Sequence, residues 1–331
     1  MKNIFIIGGS GFVGTRLIGR LINKNNSFIV SNIDKVLSLA YPQFTKIVDI
    51  RQFNQLINIH KCDALINLAA EHRDDVTPRS LYDDVNVEGA RNICKVAKDK
   101  NINKIIFTSS VAVYGFAPLG TNESGKIAPF NDYGRTKWEA ENIYKEWQSE
   151  DPENRTLVIV RPTVIFGERN RGNVFNLLKQ ISSGKFVMVG DGLNRKSMAY
   201  VENVAAFLEY SLSFRPGIHI YNYIDKPDFT MNQLVGLVNK LLDRSEEIKI
   251  RLPFWIGFTI GKIFDALSFL VKKKFAISSI RVKKFCANSV YESAIDKTGF
   301  VAPVPLMEAI EKTVRYEFIE DHKSEQVFYT E

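Results

Sequence analysis

Tyr133 and Lys137 stand four residues apart in the run Tyr133-Gly134-Arg135-Thr136-Lys137. On a helix this spacing puts both side chains on one face, with Cβ atoms about 5–6 Å apart. A free tyrosine titrates near pH ~10. A neighbouring ammonium favours the phenolate, so Tyr133 could act as a base close to neutral pH. The same spacing also occurs on ordinary solvated helices, so a second element is needed. The run Thr108-Ser109-Ser110-Val111-Ala112-Val113-Tyr114-Gly115 supplies one, because it sets two serine hydroxyls at the end of an apolar stretch. Either hydroxyl could hold a reacting oxygen, and Tyr114 reads as packing.

The third element is Gly8-Gly9-Ser10-Gly11-Phe12-Val13-Gly14, between the apolar run Asn3–Ile7 and a stretch with helical spacing, Gly14–Asn23. A glycine turn from strand to helix brings backbone close to a pyrophosphate, and the helix N-terminus offers N–H groups and partial positive charge. Asp34 ends the next strand, twenty residues beyond Gly14. A carboxylate there accepts from a ribose 2′-hydroxyl and repels a 2′-phosphate, which favours NAD over NADP. Asp49 reads either as an acceptor for an adenine amino group or as a solvated strand end.

The elements that must carry these residues alternate. Asn3–Ile7, Phe28–Asn32, Thr45–Val48, Ala64–Leu68, Lys104–Thr108 and Leu157–Arg161 read as strands; Gly14–Asn23, Gln52–Ile59, Val85–Lys98 and a long polar stretch before Leu157 read as helices. Continuous apolar strands alternating with helices imply a parallel sheet covered on both faces, an α/β fold. Past Gly167 the pattern loosens, so a lobe boundary is expected near Phe166, giving 1–166 and 167–331. With 45% hydrophobic and 24% charged residues, disorder and coiled coil are excluded. A charge of +7 is modest and does not imply nucleic acid. Cys62, Cys94 and Cys286 are too few and too scattered for a disulfide framework or a zinc site. His72, in Glu71-His72-Arg73-Asp74-Asp75, has no partner at metal-ligand spacing and reads as a loop residue, so no metal is expected. No secretory signal and no spanning segment are expected.

The glycine spacing is GxxGxxG. With Asn67-Leu68-Ala69-Ala70, Asn86-Val87-Glu88-Gly89 and Arg161-Pro162-Thr163-Val164-Ile165-Phe166-Gly167, the chain resembles the extended short-chain dehydrogenase/reductase superfamily, in its sugar-nucleotide epimerase/dehydratase branch. The resemblance spans essentially the whole chain. It implies a Rossmann-type doubly wound parallel sheet with a smaller C-terminal substrate-binding lobe. It implies NAD held by Gly8, Gly11, Phe12, Val13, Gly14, Asp34, Asp49 and Ile50. Leu68, Ala69, Ala70, Asn86, Tyr133, Lys137 and Val160 would complete that site. Ser110 becomes the hydroxyl on the reacting sugar oxygen, beside Tyr133 and Lys137. Arg171, Asn173 and Lys196 become substrate contacts, with Lys196 where many members carry a diphosphate-binding arginine. A homodimer through a bundle that includes the Tyr133–Lys137 helix is also implied. Val111 and Ala112 stand where sugar dehydratases of this branch carry an acid/base pair, which disfavours dehydration.

Leu252–Val271 is very apolar, and Lys272, Lys273, Lys274, Arg281, Lys283 and Lys284 follow. This suits an interfacial helix on anionic lipid, with docking in 252–284, and equally a helix of the second lobe that is buried or at a subunit contact. The runs Ala70–Val76, Arg161–Val174 and Ile277–Cys286 resemble those of 4-epimerases that act on polyprenyl-linked sugar diphosphates. That likeness implies inversion at C4 of N-acetylglucosaminyl-diphospho-undecaprenol through a transient 4-keto sugar, in surface polysaccharide synthesis. It also implies a cytoplasmic protein peripheral on the inner membrane. A 4-epimerase of soluble UDP-N-acetylglucosamine, a 4-ketoreductase and a non-catalytic NAD-binding protein are the competing readings.

Overall fold

The computed structural model describes residues 1–24, 27–73, 76–271, 278–322 and 325–330. Asp74 and Asp75, and Lys272, Lys273, Lys274 and Ile277, lie outside the described residues.

The strands are β1 (Lys2–Ile7), β2 (Phe28–Asp34), β3 (Thr45–Ile47), β4 (Ala64–Asn67), β5 (Lys104–Thr108), β6 (Thr156–Pro162), β7 (Val164–Phe166), β8 (Met188–Val189), β9 (Arg195–Tyr200), β10 (Gly217–Tyr223), β11 (Asp225–Thr230) and β12 (Arg251–Leu252). The helices are α1 (Phe12–Ile22), α2 (Phe53–Leu56), α3 (Gly89–Asp99), α4 (Asp132–Ser149), α5 (Asn173–Ser182), α6 (Val201–Tyr210), α7 (Met231–Leu241), α8 (Phe254–Val271), α9 (Ser279–Cys286) and α10 (Leu306–Phe318).

Seven strands pair in the order β10-β6-β5-β4-β1-β2-β3, all parallel. Their apolar runs are buried on both sides. Ile7, Leu65, Ile105 and Phe107 pack against Ile93 of α3 and Tyr144 and Trp147 of α4. Ile4, Ile6, Ile66 and Val158 pack against Leu17 and Ile18 of α1 and Phe207 of α6. Each fully buried aliphatic side chain contributes about 1.5–3 kcal/mol, so neither layer is dispensable. The strand order reverses between β1 and β4, where the carboxyl ends of a doubly wound sheet leave a crevice. A second core joins α5, α7 and α10 through Leu178, Leu234, Val235 and Ile310, beside the small sheet β11-β9-β7.

The expected cut near Phe166 divides the chain only in part. α6 covers the sheet beside α1, and β10 pairs with β6 from Gly217↔Thr156 to Tyr223↔Pro162. α1 begins at Phe12, two residues before the expected start, because Gly11 ends the glycine turn in an extended conformation and serves as the N-cap. The expected Gln52–Ile59 helix shrinks to the single turn α2, and the stretch before α3, Asp83–Glu88, winds as a π-helical turn.

Candidate active site

The glycine turn, the ends of β2, β4 and β5, and the first turn of α4 surround one cleft of about 870 Å³. Gly8, Gly11, Phe12, Val13 and Gly14 all line it. Gly8 has φ +79°, and a Cβ there would lie 2.6 Å from the Ala69 amide nitrogen, so the turn closes against the end of β4 only with glycine. No side chain caps α1, which leaves its first N–H groups turned to the cleft. Asp34 accepts from the Ser10 N–H at 3.0 Å and the Val36 N–H at 3.2 Å, which fixes its carboxylate on the cleft wall. Ile50, Leu68, Ala69 and Ala70 line the same wall. Asp49 lines it too, but is gripped by Arg51, whose Nε reaches both carboxylate oxygens at 3.0 Å. That hydrogen-bonded pair holds the Asp49 carboxyl below its ordinary range.

Two expected cofactor contacts lie behind the cleft. Val160 is wholly buried in the sheet, where its carbonyl accepts from the Ser109 N–H at 2.7 Å. Asn86, buried in the π turn, bridges the Glu71 N–H and C=O, each at 2.9 Å, and donates to Thr136 Oγ1 at 2.9 Å. It braces the loop after β4 against α4 and is not among the cleft-lining residues.

Ser110, Tyr133 and Lys137 converge where the sheet, the turn after β5 and α4 meet. Asn131 caps α4 through the Gly134 N–H at 2.9 Å. A Cβ on Gly134 would lie 2.5 Å from the Ala112 carbonyl oxygen, so glycine lets α4 press onto the Ser110 turn. The Ser110 side chain stands close enough to the Tyr133 phenol to favour its ionised form. Lys137 donates to the Thr108 carbonyl at 2.8 Å and lies 4.7 Å from the Phe107 ring centroid and 5.9 Å from that of Tyr133. Burial pulls the Lys137 ammonium down to about 7, against the attraction of Glu141. Burial also pushes the Tyr133 phenol above its ordinary value, and the nearby Ser110 side chain pulls the other way. Desolvation thus disfavours the charged forms of both groups, the phenolate of Tyr133 and the ammonium of Lys137.

A pH prediction follows. A base whose pKa is raised gains activity as pH rises. Ser110→Ala removes the hydroxyl that lowers the Tyr133 pKa, so the rising limb of kcat/KM against pH is expected to move to higher pH. An unmoved limb would show that Ser110 does not tune Tyr133.

Ser109, the other candidate hydroxyl, donates to buried Glu141 at 2.7 Å and is structural. Tyr114 is buried and donates to Asn222 Oδ1 at 2.8 Å. Asn173 lines the cleft, whereas Arg171 and Lys196 do not. Arg171 turns to α10, with Nη1 2.8 Å from Glu317 Oε2 and its guanidinium 4.1 Å from the Phe175 centroid. Lys196 donates to the carbonyls of Lys284 at 2.7 Å and Ala287 at 2.6 Å, at the end of α9. Both side chains have closer intramolecular partners than a ligand in the cleft. His72, read from sequence as a bland loop residue, lines the cleft, and burial lowers its pKa. Phe130, Tyr291 and Thr330 also line it without any sequence signal of their own, and Arg281, read from sequence only as part of a basic cluster, lines it too. Among the described residues no cluster of three or more His, Cys, Asp or Glu could hold a metal.

The family model of the NAD dependent epimerase/dehydratase family matches residues 4–222. The chain belongs to that family. It is 48% identical, over 99% of both chains, to the N-acetyl-alpha-D-glucosaminyl-diphospho-ditrans,octacis-undecaprenol 4-epimerase of Escherichia coli O157:H7. The UDP-glucose 4-epimerase of Thermotoga maritima has the same fold, with a TM-score of 0.74 at 20% identity over 95% of this chain and 98% of that one. The UDP-glucuronic acid 4-epimerase of Bacillus cereus, solved with NAD, gives 0.72 at 18% identity over 95% and 98%. Like the family, this epimerase/dehydratase chain uses NAD. The crevice fits that group, because its glycine turn leaves helix amides open and its Asp34 carboxylate is fixed at the far wall.

Proposed function

We propose that this protein is an NAD-dependent sugar 4-epimerase that interconverts N-acetylglucosaminyl- and N-acetylgalactosaminyl-diphospho-undecaprenol through a transient 4-keto sugar, in surface polysaccharide synthesis. The reaction rests on the convergence of Ser110, Tyr133 and Lys137 on one cleft. The substrate rests on the 48% identity over the whole chain.

NAD would be held by the glycine turn, the open end of α1 and Asp34, where it would supply the acceptor and donor of the C4 hydride and a positive ring that favours a nearby phenolate. Tyr133 would accept the proton of the C4 hydroxyl and return it to the same oxygen once the 4-keto sugar has turned its other face to the cofactor. Ser110 donates to the same oxygen and orients it. Lys137, held by the Thr108 carbonyl, stands beside the Tyr133 ring, where its protonated form favours the phenolate. The sugar is neither oxidised nor reduced overall, so the cofactor is retained and none need be added.

The seat we propose is the cytoplasmic face of the inner membrane, docked peripherally on anionic lipid through α8 and α9. α8 turns its small residues inward. A Cβ on Gly257 would lie 2.6 Å from Val189, and one on Gly261 would lie 2.7 Å from Ser279. Its bulky residues face out, with Trp255 68% and Leu270 73% exposed. The reading of this helix as buried core is therefore corrected. Lys262, Arg281, Lys283 and Lys284 are exposed around that apolar face. Each such cation is worth about 1 kcal/mol near an anionic leaflet. No described helix is long and apolar enough to cross a membrane. A homodimer through the face of α4 is the expected assembly, and sedimentation measures it.

A paired assay tests the function. Purified enzyme receives N-acetylglucosaminyl-diphospho-undecaprenol in anionic vesicles, or soluble UDP-N-acetylglucosamine, without added NAD. Conversion in the lipid tube and pelleting with the vesicles are expected. Conversion only in the nucleotide tube would replace the substrate, and conversion that depends on added NADH would replace the reaction with reduction.

A further inference from the structure

We propose that the segment 325–330 is a wall of the NAD site, a strap that keeps the cofactor in place between turnovers, and that Phe328 anchors it. The proposal rests on the cleft holding NAD and is independent of which sugar is turned over. The segment comes back along the loop before α5. The Phe328 N–H donates to the Arg169 carbonyl at 2.8 Å, and the Arg171 N–H donates to the Phe328 carbonyl at 2.7 Å. Arg169 adds its Nε, which donates to the Gln326 carbonyl at 3.1 Å. Phe328 is buried against Phe12, with ring centroids 5.7 Å apart. Phe12 is the first residue of α1 and itself lines the cleft. The strap is thus anchored on the same helix end whose open N–H groups suit a pyrophosphate.

Two residues further on, Thr330 lines the cleft. Its hydroxyl donates to Asn170 Oδ1 at 2.7 Å, and Asn170 in turn donates to the Ile165 carbonyl at 3.1 Å. A Cβ on Gly172 would lie 2.5 Å from the Thr330 hydroxyl, so glycine lets the strap lie on the start of α5. The Thr330 backbone also stands close enough to the His72 ring to favour its charged form. His72 belongs to the loop after β4, so Thr330 bridges the α5 side of the cleft to the β4 side. The segment is part of no helix and no sheet among the described residues, so it can lift without disturbing either core layer of the sheet. A reaction that hands its hydride back gains from such a closure, because a cofactor lost in mid-cycle leaves the sugar oxidised.

The test follows NAD rather than turnover. Enzyme loaded with labelled NAD is chased with excess unlabelled NAD, and the label retained is read over time. Phe328→Ala is expected to speed release by roughly 10–100-fold, the worth of burying one phenyl ring. Phe328→Leu should recover part of that loss. Thr330→Val, which removes only the hydroxyl, is expected to speed release by roughly 2–10-fold, the worth of one hydrogen bond. A chain ended before Glu325 should lose NAD fastest and convert sugar only when NAD is added. A merely structural role would lower activity and melting temperature whether or not NAD is added. Release no faster than the parent's in both Phe328→Ala and Thr330→Val would overturn the proposal, whether or not the shortened chain folds. A parent that exchanges its NAD at once would overturn it as well. The chase needs no sugar, so it separates the failures. A parent that holds NAD and converts neither sugar, with release still quickened by Phe328→Ala, would sink the epimerase reading and leave the strap standing.

Discussion

Tyr133→Phe is expected to lower epimerisation by about 10²–10⁴-fold, the usual contribution of one positioned acid/base group. The hydroxyl is the only part removed, and Ser110 and Lys137 keep their places, because Lys137 is held by the Thr108 carbonyl and Ser110 by the Ala112 N–H at 3.1 Å. Bound NAD and the melting temperature should therefore match the parent. Steady-state kinetics on the lipid-linked sugar, with NAD released by acid and quantified, make the comparison. Activity within tenfold of the parent would move the proton transfer to another group, and His72 in the same cleft would become the residue to replace.

Glu141→Ala is expected to destabilise the fold by about 3–5 kcal/mol, the cost of removing one partner from a buried ion pair. Glu141 and Arg161 have side chains 0% and 2% exposed, joined through Nε at 2.8 Å and Nη2 at 2.5 Å. Ser109 donates to the same carboxylate, and Arg161 donates to the Tyr114 hydroxyl at 2.7 Å. Removing the carboxylate leaves a guanidinium in the core and frees the residue next to Ser110. Urea unfolding followed by circular dichroism reads the loss. Replacing both partners by methionine should cost much less than Glu141→Ala, since the buried guanidinium would then be gone and, of the charges, only the partly exposed Lys145 would lose a partner. A loss under 1 kcal/mol for Glu141→Ala would mean that water reaches Arg161.

The glycine turn and the Tyr133–Lys137 pair were legible because their signals are local: a turn between strand and helix, and one helical turn. The parallel sheet was legible for the same reason, from apolar runs five or so residues long. What escaped was assembled across the chain. Arg161 meets Glu141 only once α4 lies along β6, and neither neighbourhood carries a pattern that announces the pair. Arg281 and Thr330 reach the cleft from the second lobe and the C-terminal segment, which crosses the Asn170 loop through the Arg171 N–H to Phe328 carbonyl bond at 2.7 Å. Lys196 was misread for an instructive reason. Its place in the chain matches a diphosphate contact, but a lysine's flexible stem let it turn to carbonyls that α9 leaves unpaired at its end. Position in a motif specifies where a backbone runs, and the side chain's chemistry then decides what it touches.

The return of β10 to the edge of the central sheet bears on how the protein can be cut and how it can move. A fragment ending at residue 166 would leave β6 as an open edge, with a row of unpaired amides ready to template aggregation. It would also lose α6 and bare the layer of Ile66, Ile106 and Val158. The halves are therefore inseparable as recombinant pieces. The same continuity ties the second lobe to the sheet, so that any motion between them must preserve the β6–β10 pairing.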